Sequence, residues 1–382
     1  QTNLANFVKK NQNSTEAEAI LRSCVHCGFC LATCPTYQLL GDELDSPRGR
    51  IYLMKQVLEG QAVTQKTQLH LDRCLTCRAC ETTCPSGVRY SHLLDISRGI
   101  VEEKVARNRY SELKRFAIRK FLTSRSIFKF SVRIAQLLRA FMPAKLKAAI
   151  PPLQRSAVNW NNSRHPRKML VLDGCVQPTL APNINAATAR VLDKLGISLI
   201  KVEEAGCCGA LAYHLNAQQQ GLDAMRHNID VWWPLIETHQ IEAIVISASG
   251  CGVTVKEYGH FLQYDAAYAE KAQVVAALAK DISEIITAEL ENLTVLLKET
   301  SLNHPGKLAF HSPCTLQHGM KIRGVVEKIL SSAGITLCQV DNPHLCCGSA
   351  GTYSILQPIL SQQLLKDKVI ALSANGPAQI VT

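Results

Sequence analysis

Two stretches of the chain carry the same arrangement of cysteines. Residues 24–35 read Cys-Val-His-Cys-Gly-Phe-Cys-Leu-Ala-Thr-Cys-Pro, and residues 74–85 read Cys-Leu-Thr-Cys-Arg-Ala-Cys-Glu-Thr-Thr-Cys-Pro. In each stretch three cysteines are separated by two residues, and a fourth follows after three more, directly before proline. Three thiolates at this spacing can surround one cuboidal iron–sulfur cluster, while the fourth serves a neighbouring cluster. The pattern therefore predicts a domain that holds two [4Fe–4S] clusters.

The spacing also assigns ligands to each cluster. We expect the first cluster to be held by Cys24, Cys27, Cys30 and Cys84, and the second by Cys74, Cys77, Cys80 and Cys34. Zinc is the competing metal, because Cys-x2-Cys pairs also bind it. Zinc sites rarely use three consecutive cysteines at two-residue spacing plus a fourth before proline, and here the run occurs twice. Four basic residues near the motifs are expected to make ordinary surface or structural pairs, with a role in raising a cluster potential as the alternative: His26, Arg48, Arg50 and Arg78.

The segment between the two runs has helical signals. Ser46 followed by Pro47 marks a helix start, and a mostly apolar stretch continues to Gly60. A second short helix is expected from Thr64 to Asp72. We therefore predict that residues 1–106 form a helical ferredoxin domain rather than the compact β-rich form.

The next segment is strongly basic. Residues 107–168 contain sixteen Lys or Arg and one acid, Glu112, which gives +15 where the whole chain carries +11. Apolar residues recur there at helical spacing: Leu113, Phe116, Ala117, Phe121, Ile127, Phe130, Ile134, Leu137, Leu138 and Phe141. We predict a basic helical connector at 107–166. Three interpretations stay open: contact with an anionic membrane, docking of a partner protein, or helices packed on their own protein with a solvated basic face.

The rest of the chain contains an internal repeat. Cys175 and the pair Cys207-Cys208 recur as Cys314 and Cys346-Cys347, with 32 positions between the single cysteine and the pair in both copies. Strand and helix patterns alternate around them, which predicts two α/β domains at 167–300 and 301–382. The counterpart of Cys251 would fall just past Thr382. We therefore expect the second repeat to be incomplete and the sequence, which begins at Gln1, to be a fragment.

The repeat cysteines follow predicted strands, so they are expected at the carboxyl edge of a parallel sheet, where ligands bind. A second, less specific set of metal ligands is Cys175, Cys207, Cys208, Cys251, Cys314, Cys346 and Cys347. These thiols are interpreted as holding a further cluster or zinc, as performing thiol–disulfide chemistry, or as structural. Cys338 fits neither pattern and is expected to fill a core; His165 and His304 are expected to be structural loop residues.

Composition limits the function. A chain of 382 residues with 47% hydrophobic and 19% charged residues is a folded multidomain protein. No apolar stretch approaches the roughly 20 residues of a membrane span, and no signal peptide is visible. Sixteen cysteines in a cytosolic chain favour metal or redox chemistry over disulfides. Dinucleotide, Walker and nucleophile-elbow motifs are missing from the sequence, so substrate oxidation is expected on a partner subunit, and no nucleic-acid partner is expected.

The wording of four segments resembles a known family: residues 24–50, 174–180, 312–318 and 346–353. They are similar to the iron–sulfur subunits of flavin-linked hydroxyacid oxidases and of heterodisulfide reductases, and most closely to those of glycolate oxidases. This resemblance implies an α+β multidomain protein in a complex with FAD-containing subunits that convert glycolate to glyoxylate. It also implies a cytoplasmic position, peripheral on the inner face of the cell membrane, with electrons passing to quinone.

Alternatives remain at this stage. Lactate and glycerol 3-phosphate dehydrogenases share the same wiring. A different class of function is a heterodisulfide-reductase-like enzyme that uses the Cys-Cys-Gly cysteines. A third is a non-catalytic scaffold for the flavin subunits.

Overall fold

The computed structural model describes residues 2–10, 12–144, 147, 150–153, 165–298 and 306–382. Its chain divides into two compact units, which are considered separately: residues 1–109 with 300–382, and residues 110–299. His304 and much of the end of the predicted connector, at 145–146, 148–149 and 154–164, lie outside the described residues. Among the described residues, no helix combines the length and the hydropathy needed to cross a membrane.

The N-terminal part of the first unit is helical, as predicted. Its helices are α1 Asn6–Lys9, α2 Ser14–Ser23, α3 Pro35–Leu40, α4 Pro47–Leu58, α5 Gln65–Asp72, α6 Ala79–Thr83 and α7 Tyr90–Lys104. Apolar side chains of α2, α4 and α7 form a common core that includes Met54, Leu58, Leu93 and Leu94. Cysteines of both runs pack at the edge of this core, so the helices position both motifs against one another.

The two inserted helices begin where the sequence predicts. The Ser46 hydroxyl accepts a hydrogen bond from the Gly49 backbone N–H at 2.9 Å, and the Thr64 hydroxyl accepts one from Thr67 at 3.2 Å. These side chains cap helix starts by satisfying otherwise unpaired N–H groups. Gly49 is needed because a Cβ atom there would lie 2.0 Å from the carbonyl oxygen of Glu43.

The second unit combines the connector helices with the first repeat. The connector forms α8 Arg109–Thr123 and α9 Arg125–Leu138, which confirms its helical pattern. The repeat has a four-stranded parallel sheet in the order β2-β1-β3-β4, with β1 Arg167–Val171, β2 Ile197–Lys201, β3 Ala243–Ile246 and β4 Ala279–Asp281. Its helices are α10 Gln177–Leu180, α11 Asn183–Lys194, α12 Ala210–His214, α13 Gln218–His239, α14 Ser249–Lys256, α15 Tyr258–Phe261, α16 Ala269–Leu278, α17 Ile282–Ala288 and α18 Leu290–Lys298. Strands fully buried on both faces, such as β3, give the near-continuous apolar runs seen in the sequence.

The second repeat, which belongs to the first unit, has a smaller sheet than its pattern predicts. Strands β5 Leu308–Phe310 and β6 Gln379–Val381 pair in parallel, and α19 Val325–Ser332, α20 Tyr353–Leu356 and α21 Pro358–Ser373 lie between them. The expected middle strand is reduced to a single bridge between Leu308 and Leu337. The pairing between β5 and β6 is short, because each strand has only three residues.

Two residues were predicted to have structural roles, His165 in a loop and Cys338 in a core, and only the first prediction is confirmed. His165 lies in the loop before β1, as expected, and its Nε2 is 2.9 Å from a carboxylate oxygen of Asp193. The prediction that Cys338 fills a core is wrong: its side chain is only partly buried, and its thiol contacts the Asn375 carbonyl oxygen at 3.7 Å.

The glycine of each Cys-Cys-Gly motif has a structural cause. Gly209 has a φ of +91° and Gly348 a φ of +78°, both in the left-handed region that side chains disfavour. A Cβ at Gly209 would lie 2.6 Å from the Gly221 carbonyl oxygen, and one at Gly348 would lie 2.5 Å from that of Ser361. In both repeats the turn after the cysteine pair therefore lies directly against the following long helix.

Substitution of Gly209 by alanine is expected to destabilise the second unit. The left-handed backbone costs about 1–2 kcal/mol with a Cβ present, and the clash with backbone adds about 1–3 kcal/mol. Gly196→Ala is the matched control, since Gly196 also has a positive φ, of +76°, but open space around it. Denaturant unfolding followed by circular dichroism should show the larger loss for Gly209→Ala; equal losses would show that close packing is not the constraint.

Candidate iron–sulfur and thiol sites

The first cysteine run forms a cavity. Its walls include Cys24, Cys27, Cys30 and Cys84, and the space between them, part of which is open to solvent, is about 430 Å³. These are the four residues that the spacing assigns to the first cluster, with His26 and Arg48 in the same wall. Cys27 is exposed, and its neighbours Val25 and Phe29 are 68% and 60% exposed. The first cavity therefore lies at the surface of its unit.

The second run forms a similar cavity beside the first. Its walls include Cys34, Cys74, Cys77 and Cys80, again the predicted set, and the space between them, part of which is open to solvent, is about 370 Å³. Arg50 and Arg78 line it. Three residues, Pro47, Cys80 and Tyr90, line both cavities. The two sites thus share a wall one side chain thick.

The donor set of each cavity suits an iron–sulfur cluster. Four cysteine sulfurs are the usual ligands of a [4Fe–4S] cluster, and a cuboidal cluster needs an open space between them. A zinc ion bound by four thiolates at about 2.3 Å would need the sulfurs drawn together around a single point. Each cavity is an open space lined by its four predicted cysteines, and this arrangement fits a cluster better than a single zinc ion.

The local backbone explains how each run surrounds its cavity. His26 and Gly28 flank Cys27 with positive φ values of +53° and +86°; Thr76 and Arg78 flank Cys77 with +52° and +60°. The Thr76 N–H donates to the Cys74 sulfur at 3.4 Å. The left-handed residues turn the chain at equivalent places in the two runs, so that successive thiols face inward. Glycine fills only one of these four positions, so the sequence gives little sign of the turns.

Burial makes these thiols poor acids in the absence of positive charge. Burial raises the pKa of Cys30 to about 11 and raises the pKa of Cys77 and of Cys80 well above the usual value. Thiolate ligands in such a site require cations to offset the loss of hydration. Iron ions supply that charge when a cluster is bound.

The four basic residues near the motifs have different environments. Arg48 donates to a carboxylate oxygen of Glu43 at 2.7 Å in a half-exposed pair. Arg50 is buried and pairs with Asp45 at 3.2 Å. His26 and Arg78 occupy the turn positions already described. Arg48 and Arg50 thus make the ordinary pairs that the sequence favours, but the burial of Arg50 could not be read from the sequence.

Thiols of the second repeat lie against the second cavity, within the same unit. Cys314 and Cys346 share a buried apolar cluster with Leu75 and Tyr353, and Cys77 packs at its edge. The Thr82 hydroxyl also lies 3.1 Å from Nδ1 of His318. The second repeat is therefore in direct contact with the loop that carries Cys74, Cys77 and Cys80.

Sequence reasoning missed one residue of the second-repeat thiol site. Cys346 lies beside the thiols of Cys314 and Cys347, and Cys347 lies beside His311. The neighbouring Cys346 raises the pKa of Cys347 to about 12, although His311 acts in the opposite direction. His311 stands three residues before Cys314, where the first repeat has Leu172. Alignment of the two repeats therefore gives no sign that His311 belongs to the thiol site.

The first repeat brings its four predicted cysteines together. Cys175 and Cys208 lie beside Cys207, and Cys208 also lies beside Cys251. The neighbouring thiols of Cys175 and Cys208 lower the pKa of Cys207 well below its usual value. Backbone carbonyls of the pair are held by Asn228 Nδ2 and the Tyr258 hydroxyl, each at 2.9 Å. All four cysteines follow the carboxyl ends of strands, as expected.

Comparison with known protein families agrees with this architecture. A family model described as a 4Fe-4S dicluster domain matches residues 20–88. A second, described as a cysteine-rich domain, matches residues 169–256 and again residues 308–382. These matches confirm the iron–sulfur domain and the repeat that the cysteine spacing predicts.

Two relatives match nearly the full length of the chain, and a third matches about half of it. The chain is 54% identical over 382 residues to the "Glycolate oxidase iron-sulfur subunit" of Escherichia coli (strain K12), which covers 100% of this chain and 92% of that protein. It is 30% identical over 394 residues to the "Probable glycolate oxidase iron-sulfur subunit" of Bacillus subtilis (strain 168), covering 96% and 87%. "Lactate utilization protein A" of an Exiguobacterium species is 26% identical over 54% of the chain and 81% of its own length. The chain belongs to the family of the glycolate oxidase iron–sulfur subunits.

Proposed function

We propose that the chain is the electron-transfer subunit of a flavin-linked 2-hydroxyacid oxidase, with glycolate as the substrate of the complex. The observation that carries this proposal is the pair of four-cysteine cavities with a common wall of Pro47, Cys80 and Tyr90. When bound, [4Fe–4S] clusters accept and release one electron at a time, as a flavin does when it is reoxidised in single-electron steps. Two adjacent sites make a wire rather than a substrate pocket.

The chain's own residues would hold the two clusters in a fixed order. The ligand assignment is Cys24, Cys27, Cys30 and Cys84 for the first site, and Cys74, Cys77, Cys80 and Cys34 for the second. The exposed position of Cys27, flanked by the exposed side chains of Val25 and Phe29, supports the first site as the one that meets an FAD-containing partner. The second site, covered by the second repeat, is then the inner of the two electron-transfer sites.

The names of the relatives support glycolate as the substrate of the partner subunits, with a lactate oxidase complex as the alternative. The division into segments 1–106, 107–166, 167–300 and 301–382 is supported by the family matches to residues 20–88, 169–256 and 308–382. Quinone as the downstream acceptor and a cytoplasmic, peripheral membrane position are proposed from the family resemblance.

The thiol sites of the repeats are proposed as metal sites, holding a further cluster or zinc. Support comes from the linked thiols of the first repeat, from Cys175 through Cys207 and Cys208 to Cys251. In the second repeat, the linked donors are Cys314, Cys346, Cys347 and His311. A mixed set of sulfur and imidazole ligands is common for zinc, whereas an all-thiol set serves either zinc or a cluster.

A second candidate function has its own observation. The two neighbouring thiols lower the pKa of Cys207, which favours the reactive thiolate form that an enzyme reducing disulfides would need. In such an enzyme, Cys207 would attack one sulfur of the substrate disulfide and release the other as a thiol. The second thiol of the site would then resolve the mixed disulfide, and two electrons from the clusters would restore both thiols.

Peripheral membrane contact is supported by the connector. Helix α9 and the turn after it bury Phe128 but leave an apolar stripe exposed: Phe130 and Leu137 on the helix are 68% and 76% exposed, and Phe141 in the turn is 88% exposed. Lys129, Arg133 and Arg139 lie between these residues in sequence. An apolar stripe with basic neighbours suits a surface of anionic lipid, where each basic residue contributes about 1 kcal/mol.

Metal analysis tests the wire. The protein purified without oxygen should contain about eight iron atoms and eight acid-labile sulfides per chain, because each cluster has four of each. A Cys74→Ser variant should retain about half of both, since only the second site loses a ligand. Cys338→Ser, outside both cavities, is the matched control and should be unchanged. Near-zero iron with stoichiometric zinc in the unaltered protein would contradict the proposal.

Substitution of the cysteine pair separates the two candidate functions. A Cys207→Ser, Cys208→Ser variant should still pass electrons from glycolate to an artificial acceptor in the assembled complex, with the eight N-terminal cysteines loaded. Acceptor reduction and iron content should be measured on the same sample. Loss of a disulfide-reducing activity, with both clusters intact, would instead favour the enzyme.

Liposome co-sedimentation tests the connector. The full chain should bind vesicles containing anionic lipid at low salt, and 1 M salt should release it, because the screening length falls from about 10 Å at 0.1 M to about 3 Å. A Phe130→Glu, Leu137→Glu variant should bind more than about ten-fold more weakly, since each buried side chain contributes about 1.5–3 kcal/mol.

The control is Val295→Glu, which changes another exposed apolar residue of the same unit, 59% exposed, on α18. It should bind the vesicles as the unaltered chain does. If the stripe variant keeps vesicle binding but no longer joins the flavin subunits, the stripe is a protein interface and the membrane contact must come from elsewhere in the complex.

A further inference from the structure

The two cysteine cavities differ in the arginines that line them: Arg48 lines the first, whereas Arg50 and Arg78 line the second. Arg48, at the first cavity, has 35% of its side chain exposed and pairs with Glu43, which is 43% exposed. Arg50, at the second cavity, is 1% exposed. A charge in contact with water is screened, whereas a buried charge acts through a medium of low dielectric constant. The two arginines are therefore unequal influences on any charge that develops in the cavities.

The guanidinium of Arg50 is fixed by three hydrogen bonds. Its Nε donates to the His70 carbonyl oxygen at 2.7 Å, and its two terminal nitrogens donate to Thr36 Oγ1 at 3.1 Å and to Asp45 Oδ1 at 3.2 Å. Thr36 Oγ1 in turn lies 3.3 Å from the sulfur of Cys34. One hydroxyl group thus links the buried cation to the fourth cysteine of the second cavity.

The carboxylate of Asp45, which balances the charge of Arg50, also pairs with a second arginine. Asp45 is fully buried, and its other carboxylate oxygen accepts from Arg73 at 2.7 Å. His70 Nδ1 also lies 3.1 Å from this carboxylate. Two guanidinium groups against one carboxylate leave a net charge of +1 in this group of three, even with His70 neutral. A third arginine, Arg98, donates to the Cys74 carbonyl oxygen at 2.9 Å.

We infer that Arg50 is a positioning residue that holds the second cluster at a higher reduction potential than the first, so that electrons flow from the surface site to the inner one. The inference rests on the proposed function. Reduction of a cluster adds one negative charge, and a fixed buried cation stabilises the reduced form. Arg50 has no comparable buried counterpart at the first cavity, where Arg48 is half-exposed and its pair with Glu43 is screened by water.

An anaerobic redox titration of the full chain, followed by electron paramagnetic resonance, tests this. A Cys27→Ser variant, which changes only the first site, assigns the two reduction waves. The wave of the second cluster should lie at the higher potential in the unaltered protein. Arg50→Gln should lower the reduction equilibrium constant of that cluster at least ten-fold, equivalent to about 59 mV for one electron.

Asp45→Asn should shift the same wave in the opposite direction, because it removes the negative member of the same network. Arg48→Gln is the matched control at the first cavity and should move neither wave by a comparable amount. A purely structural role predicts instead that Arg50→Gln and Asp45→Asn, which both disrupt the Arg50–Asp45 pair, shift the wave in the same direction. That result would overturn the inference.

Iron content separates this inference from the proposed function. A protein that holds no clusters contradicts the wire itself. A protein with both clusters loaded, in which the first has the higher potential or Arg50→Gln leaves the second unmoved, contradicts only the role of Arg50. If Arg50→Gln fails to load the second site, Arg50→Lys decides, since it keeps the charge and should keep the potential; a ten-fold drop in Arg50→Lys would count against the inference.

Discussion

The fourth cysteine of each run lines the cavity of the other run, and this crossing ties the iron–sulfur domain together. Cys84 closes the cavity of the first run, and Cys34 closes that of the second. Neither cavity can therefore exist without both segments, although 39 residues separate Cys34 from Cys74. The helices between them pack so that the two runs meet, and Pro47 at the start of α4 stands in the shared wall. The short separation of the sites, which electron transfer needs, is a consequence of this crossing.

The crossing also places a buried charged group beside the second site. Burying Asp45 and Arg50 costs several kcal/mol per ion in lost hydration, which only close pairing and hydrogen bonds offset. Packed apolar residues would serve stability at least as well. The network is arranged around the loop that carries Cys34, and its excess of positive charge favours added electrons there. We therefore see it as serving the redox site rather than only the fold.

The two repeats have diverged around a common turn. Both use a glycine in the left-handed region after the cysteine pair, and both press that turn against a long helix. The first repeat builds a four-stranded sheet and joins four thiols, with Asn228 and Tyr258 fixing the pair. The second repeat has a smaller sheet and packs its Cys314 and Cys346 against the second cluster site. The same motif thus forms a separate thiol site in the first repeat and packs against the second cysteine cavity in the second repeat.

The sequence by itself determined the features that depend on local spacing. Each of these features is contained in a few consecutive residues, because ligand spacing and helix capping are short-range. They are the two cysteine runs, the capped helices that begin after Ser46 and Thr64, and the two Cys-Cys-Gly motifs. Only the tertiary structure decided which charges share a buried volume. Asp45 meets Arg73 and His70 across more than twenty positions, His311 reaches Cys347, and the middle strand of the second repeat shrinks to one bridge. These outcomes depend on packing between distant segments, which no local pattern encodes.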